Sequence, residues 1–156
     1  MTQEEKDLLL KDLCVRLPYG VKCYIPEADA VRTLGTIQYD DEDTLFDFWN
    51  ESKTRFEHQL YVSEFKPYLF PMSSMTEEQK KEFIHCAGYD VEESVNGRHY
   101  EYYLKDYVGT PETPLCNYDA IDWLNAHHFD YRGLIEKNLA LEAPENMYIN
   151  NSKTMI

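Results

Sequence analysis

Asn125-Ala126-His127-His128-Phe129-Asp130-Tyr131-Arg132-Gly133-Leu134-Ile135 brings imidazole, carboxylate, phenol and guanidinium groups into eleven consecutive residues. His127, His128 and Asp130 have the donor types of a metal site. Adjacent histidines on a helix point about 100° apart, so both could reach one ion only where the helix ends. Further ligands would have to come from His58, His85 or His99, and the sequence identifies none, so no metal and no cofactor is predicted. Asp130, Tyr131 and Arg132 could form a ligand-binding corner with Arg132 as an anion fork. The commoner roles are structural: a capping aspartate, an Arg–carboxylate pair between helices, and a histidine in a last turn favoured by the helix dipole.

Asp40-Asp41-Glu42-Asp43 invites a calcium reading. With Asp41 and Asp43 at positions 1 and 3 of an EF-hand loop, Phe46 falls where glycine is required and Ser52 where a bidentate glutamate belongs, so the match fails. The run reads as a solvated turn, or as an acidic knob that docks on a basic partner. Tyr100, Tyr102, Tyr103 and Tyr107 are the densest group among 13 tyrosines. Tyrosine offers stiff contact area with a polar tip, which suits either an interface or a small mixed core. Ser73-Ser74 precedes a helix and reads as a loop and cap. The chain has no Gly-x-Ser-x-Gly, no phosphate-binding Gly-x-x-x-x-Gly-Lys-Ser/Thr, no Gly-x-Gly-x-x-Gly and no His-Glu-x-x-His. Without these motifs a catalytic residue cannot be assigned, and a non-enzymatic protein is the expectation.

The 156 residues carry 29 acids against 15 bases, a net charge of −14. The excess is spread evenly, with 14 acids and 8 bases in residues 1–75 and 15 and 7 in residues 76–156. Phosphate backbones and anionic membranes both require positive charge, so direct nucleic-acid and membrane binding are not expected. A basic protein surface is compatible with this charge, and so is simple solubility. No apolar run approaches the roughly 18 residues of a membrane span. Cys14, Cys23, Cys86 and Cys116 include no Cys-x-x-Cys spacing. Met1-Thr2-Gln3-Glu4-Glu5 is acidic where a signal peptide is basic, so reduced cysteines in the cytoplasm are expected.

The elements that would position these groups follow from periodicity and punctuation. Thr2-Gln3-Glu4-Glu5 is a capping box opening a helix to Arg16, with Leu9, Leu10, Leu13, Cys14 and Leu17 on its apolar face. Pro18-Tyr19-Gly20 ends it. Val21–Ile25, Val31–Tyr39, Thr44–Trp49 and Arg55–Val62 read as short strands separated by polar turns. Phe65–Pro71 carries two prolines and reads as a buried connector. Thr76-Glu77-Glu78-Gln79 opens a second helix to about Ala87. Asn96-Gly97 suggests a hairpin, although Tyr100, Tyr103, Leu104 and Tyr107 also fit a helix. Thr110–Pro114 is a break. Asn117 or Asp119 caps a helix to about His128, with His127 near the surface, and Asp130 caps a short helix over 131–137 that Asn138 ends. The fold class is therefore α+β: an N-terminal helix, a small bent antiparallel sheet or partial barrel, and a mostly helical C-terminal half. A single domain over 1–145 is expected, sheet-rich over 17–71 and helix-rich over 76–145, with a fraying polar tail at 146–156.

Three blocks, Leu17–Lys22, Lys66–Gln79 and His128–Ile135, resemble uncharacterised small acidic proteins encoded by phages and mobile elements of gut bacteria. The blocks cover 28 of the 156 residues. The resemblance implies an intracellular accessory protein and assigns no functional residue. Such a protein would bind and modulate or inhibit a host protein, by imitating DNA or by neutralising a defence or nucleic-acid-handling factor. The alternatives are a small-molecule or nucleotide-binding domain or minor enzyme built on His127–Arg132, and a phage structural or assembly component. The sequence leaves the oligomeric state open.

Overall fold

The computed structural model describes residues 1–39, 42–86, 109–110, 113–114 and 118–148. The chain is α+β, and it divides into two compact units, Met1–Phe70 with Gly133–Ile156 and Pro71–Arg132. Asp40, Asp41, the hairpin candidate around Asn96-Gly97, Cys116 and the tyrosines at 100, 102, 103 and 107 lie outside the described residues.

Helix α1 spans Gln3–Arg16, and Thr2 Oγ1 accepts from the Glu5 amide at 3.1 Å as its cap. Its buried face is Leu9, Asp12, Leu13 and Arg16, an i, i+3, i+4, i+7 stripe. The expected stripe is thus rotated: Leu10 and Leu17 are half-buried and Cys14 is exposed. Two charged residues occupy the inner face because they satisfy each other. Arg16 Nε donates to Asp12 Oδ2 at 2.7 Å, and both side chains are 0% exposed.

Leu9 and Leu13 join one face of a sheet in a common core with Val21, Cys23, Ile25, Leu34, Phe46, Phe48 and Phe65. The strands are β1 (Lys22–Ile25), β2 (Ala30–Tyr39), β3 (Thr44–Trp49), β4 (Phe56–Leu60) and β5 (Lys66–Pro71). Within this unit they lie in the order β4-β3-β2-β1-β5, each neighbour antiparallel. Phe65 sets its ring edge-on to Phe46 and Phe48, at 5.1 and 4.8 Å between centroids. On the other face Asp47 is buried beneath Thr36 Oγ1 (2.7 Å), Gln59 Nε2 (3.1 Å) and Gln38 Nε2, all donating to its carboxylate. These partners come from β2 and β4, so the carboxylate ties three strands together. The β2–β3 register slips at Gly35, where a side chain would collide with the Phe56 ring and lie 2.9 Å from Trp49 Nε1. Glycine lets the Trp49–Phe56 pair, 4.3 Å between centroids, lie against the strand.

The expectation of a connector at Phe65–Pro71 is corrected, since β5 is a strand of the sheet. Proline is tolerated because the pairing with β1 covers only Cys23↔Pro67 and Tyr24↔Lys66, while the carbonyls of Tyr68 and Leu69 accept from elsewhere. The sheet is also mixed and open rather than wholly antiparallel: β9 (Leu141–Glu142) runs parallel to β5. The short helix expected over 131–137 is instead a single turn, from Gly133 to Lys137. It closes with Asn138 at φ 59°, Asn138 N bonded to Ile135 O at 3.0 Å and Leu139 N to Leu134 O at 2.9 Å. This is a Schellman cap with its usual apolar pair, Leu134 and Leu139, both buried. The polar tail expected from Asn146 holds an anchor: Tyr148 is 7% exposed and hydrogen-bonded to β1 and β5. An amphipathic phenol can bury its ring while its hydroxyl satisfies backbone groups, which a polar average over the segment conceals.

The second unit contains α2 (Glu77–Cys86), the two-residue strands β6 (Gly109–Thr110) and β7 (Thr113–Pro114), α3 (Tyr118–Ala126) and the extended pair β8 (Phe129–Asp130). The α2 capping box is reciprocal: the Gln79 amide donates to Thr76 Oγ1 at 3.2 Å and the Thr76 amide to Gln79 Oε1 at 2.9 Å. Strands β6 and β7 pair antiparallel, Gly109 with Pro114 and Thr110 with Thr113.

Asp12→Ala leaves the Arg16 charge buried without this carboxylate. Urea unfolding should show a loss of about 3–5 kcal/mol, most of it recovered in Asp12→Leu/Arg16→Met; an unaffected single variant would contradict the buried pair. Burial pushes the Tyr148 phenol strongly upward, outweighing the opposing effects of the Lys22 amide bond and the Arg16 charge. The unfolded chain ionises this tyrosine near pH ~10 while the folded chain keeps it neutral. Tyr148 therefore contributes fully below that pH and loses its contribution as pH rises further. The stability advantage of the parent over Tyr148→Phe should shrink between about pH 9 and 11 in urea unfolding.

Candidate functional site

The reactive segment begins at the end of α3. Ala120, Trp123 and Leu124 form the inner side of this helix with Phe83 of α2, whose ring lies 5.6 Å from Trp123. The last helical bonds run from the His127 amide to the Trp123 carbonyl at 3.0 Å and from the His128 amide to the Asn125 carbonyl at 3.2 Å. His128 then takes φ 62°, a left-handed residue that ends the helix and turns the chain.

This turn sets the geometry of the five predicted residues. His127, expected near the surface, is half-buried and stacked on Trp123 at 4.0 Å and 22°, with Nδ1 2.8 Å from the Trp123 carbonyl. The carbonyl can only accept, so Nδ1 carries the proton. Phe129 also stacks on Trp123, at 5.8 Å and 6°. His128 and Asp130 are buried, at 3% and 7% exposure. Tyr131 donates its hydroxyl to Asn125 Oδ1 at 3.0 Å, and Asn125 is 1% exposed. Arg132 lies over the Tyr131 ring at 5.0 Å and reaches its hydroxyl at 3.4 Å. The segment thus combines an aromatic stack with a hydrogen-bonded turn. Among the described residues no group of three His, Cys, Asp or Glu is arranged to hold a metal ion.

Glu42 and Asp43 are exposed, and Asp43 Oδ1 accepts from the Thr44 amide at 2.8 Å, a turn contact. Each described cysteine is held protonated. Burial pushes the Cys23 thiol well up and raises Cys14, and burial followed by the charges of Glu82 and Asp119 raises Cys86. A thiol kept from ionising is a poor nucleophile and a poor soft-metal ligand.

Sequence reasoning passed over three polar constellations in the first unit: Asp12–Arg16, Asp47 with its three donors, and Tyr148 with Lys22. Asp12 and Arg16 were legible as an i, i+4 pair; the other two join residues distant in sequence. Burial and then the nearby Lys53 charge lower the Lys22 ammonium, which donates to the Met147 carbonyl at 2.9 Å.

Among the described residues no helix is long and apolar enough to cross a membrane. The chain matches no protein-family model, and no curated protein or solved structure matches it significantly.

Tyr131→Phe withdraws the donor from the buried Asn125 amide oxygen. Thermal or urea unfolding is expected to register a loss of about 1–3 kcal/mol. An unchanged midpoint would mean that the hydroxyl does not serve Asn125 in solution.

Proposed function

We propose that this chain is a non-enzymatic, cytoplasmic accessory protein of a phage or mobile element. It binds a host protein of basic surface, such as a defence or nucleic-acid-handling factor, and modulates or inhibits it. The observation that carries this reading is the sorting of charge by the fold. Among the described residues sixteen acids but only five bases are exposed. Most of the remaining described bases are withdrawn into local contacts. Arg16 pairs with Asp12, Arg32 with Glu57, Lys80 with Glu77, Lys22 binds the Met147 carbonyl, and Lys66 binds Asn138. What faces solvent is therefore more one-sided than the composition. A surface of one sign steers a partner of the other sign and repels nucleic acid.

One further observation favours binding over catalysis. His127, Tyr131 and Arg132 make stacking and hydrogen-bond contacts within their own turn. The resemblance of the three sequence blocks supports the origin.

The test is capture of the tagged full-length chain from host lysate at about 0.1 M and about 0.5 M salt, since surface attraction is screened within about 8 Å at physiological ionic strength. One basic protein, retained at low salt and reduced at least about tenfold at high salt, is the expected result. A partner held equally at both, or one with an acidic surface, would sink the electrostatic reading.

A further inference from the structure

The joint between β1 and β5 is only two residue pairs long, Cys23↔Pro67 and Tyr24↔Lys66. Pro67 has no amide proton, so hydrogen-bonded pairs belong at the positions on either side of it, Tyr24 with Lys66 and Lys22 with Tyr68. At the second of these the strands are bridged by a side chain. The Lys22 amide donates to the Tyr148 hydroxyl at 2.9 Å, and that hydroxyl donates to the Tyr68 carbonyl at 2.8 Å. The phenol stands where a direct ladder bond would run.

The segment that delivers Tyr148 is held at its two ends. At one, the Ala143 amide donates to the Leu69 carbonyl at 2.8 Å, continuing the β9–β5 pairing. At the other, Lys22 Nζ donates to the Met147 carbonyl at 2.9 Å and lies 5.7 Å over the Tyr148 ring, whose edge contact with Phe70 is 5.8 Å. Between the anchors Pro144, Glu145 and Asn146 are exposed, closed only by the Met147 amide on the Pro144 carbonyl at 3.0 Å. The β2–β3 ladder has its own five residue pairs and its own core side chains, Leu34, Phe46 and Phe48.

We propose that residues 143–148 form a strap that opens as a unit, uncovering the Lys22 amide and the Tyr68 carbonyl at the β1–β5 joint while the β2–β3 ladder stays folded. The strap is a conformational device: its closed state completes the sheet, and its open state offers a donor and an acceptor on neighbouring strands. Local opening of this kind is expected where a segment is held at two separate points and its middle is exposed.

Native-state hydrogen exchange on the full-length chain tests this. Tyr148→Phe removes the bridging hydroxyl, and Ala143→Pro removes the amide at the opposite anchor. In both variants the Lys22 amide should exchange roughly tenfold to a hundredfold faster and with little dependence on added urea, while the β2–β3 ladder amides keep the steeper urea dependence of global unfolding. Protection retained at Lys22 in either variant, or a urea dependence at Lys22 as steep as in the β2–β3 ladder, overturns the proposal. General unfolding of either variant would do the same, because the strap would then not be a separate unit.

Discussion

Arg16 is a charge that water does not reach, and the first unit is arranged around that constraint. A buried guanidinium is tolerable only with an anionic partner in good geometry, and Asp12 supplies one from the preceding helical turn. The pair fixes which face of α1 turns inward. Leu9 and Leu13 share the face with Asp12 and Arg16, so rotating the helix to bury Leu10 and Cys14 would separate the leucines from the core and change the surroundings of both charges. The charge also reaches Tyr148, whose phenol it pulls down while burial pushes it up more strongly. The helix, the sheet and the returning C-terminal segment are thereby linked by electrostatics as well as by apolar packing.

Much of the fold was legible because local chemistry agrees with it. The starts of α1 and α2 follow from a Thr with a Glu or Gln three residues on, and the Thr44–Trp49 strand lies between the polar turns read on either side of it. Asn138 was expected in the left-handed conformation and adopts it. At β5 a local rule was overridden by a distant partner. The prolines of β5 argued against a strand, yet its carbonyls find donors in Ala143 and Tyr148, more than seventy residues away in the chain. The α1 stripe was misread because a hydrophobic pattern cannot count an Asp and an Arg that cancel each other. The turn over 133–138 was misread as a helix because its cap was recognised but its length was not.

The candidate site shows the same division. Residue types and spacing singled out His127–Arg132, and that stretch does hold an unusual geometry, a left-handed histidine beside an aromatic stack. What spacing could not convey is that Trp123 and Asn125, one turn earlier, take up the imidazole and the phenol. Chemical potential in a list of side chains counts for little until their hydrogen-bonding capacity is assigned, and here the turn assigns much of it internally.

Charge follows a related logic. Long basic side chains can bury their stems and bond a carbonyl or carboxylate at the tip, whereas short carboxylates at turns and on the outer faces of helices stay hydrated. Lys22 and Lys66 follow this pattern with the Met147 carbonyl and the Asn138 amide oxygen. Each such contact removes a cation from the outer surface without removing an acid. The exposed excess of acid is thus produced by folding as well as by composition. Unfolding would release those cations into a common mixture with the acids, so the field available to a basic partner belongs to the folded chain.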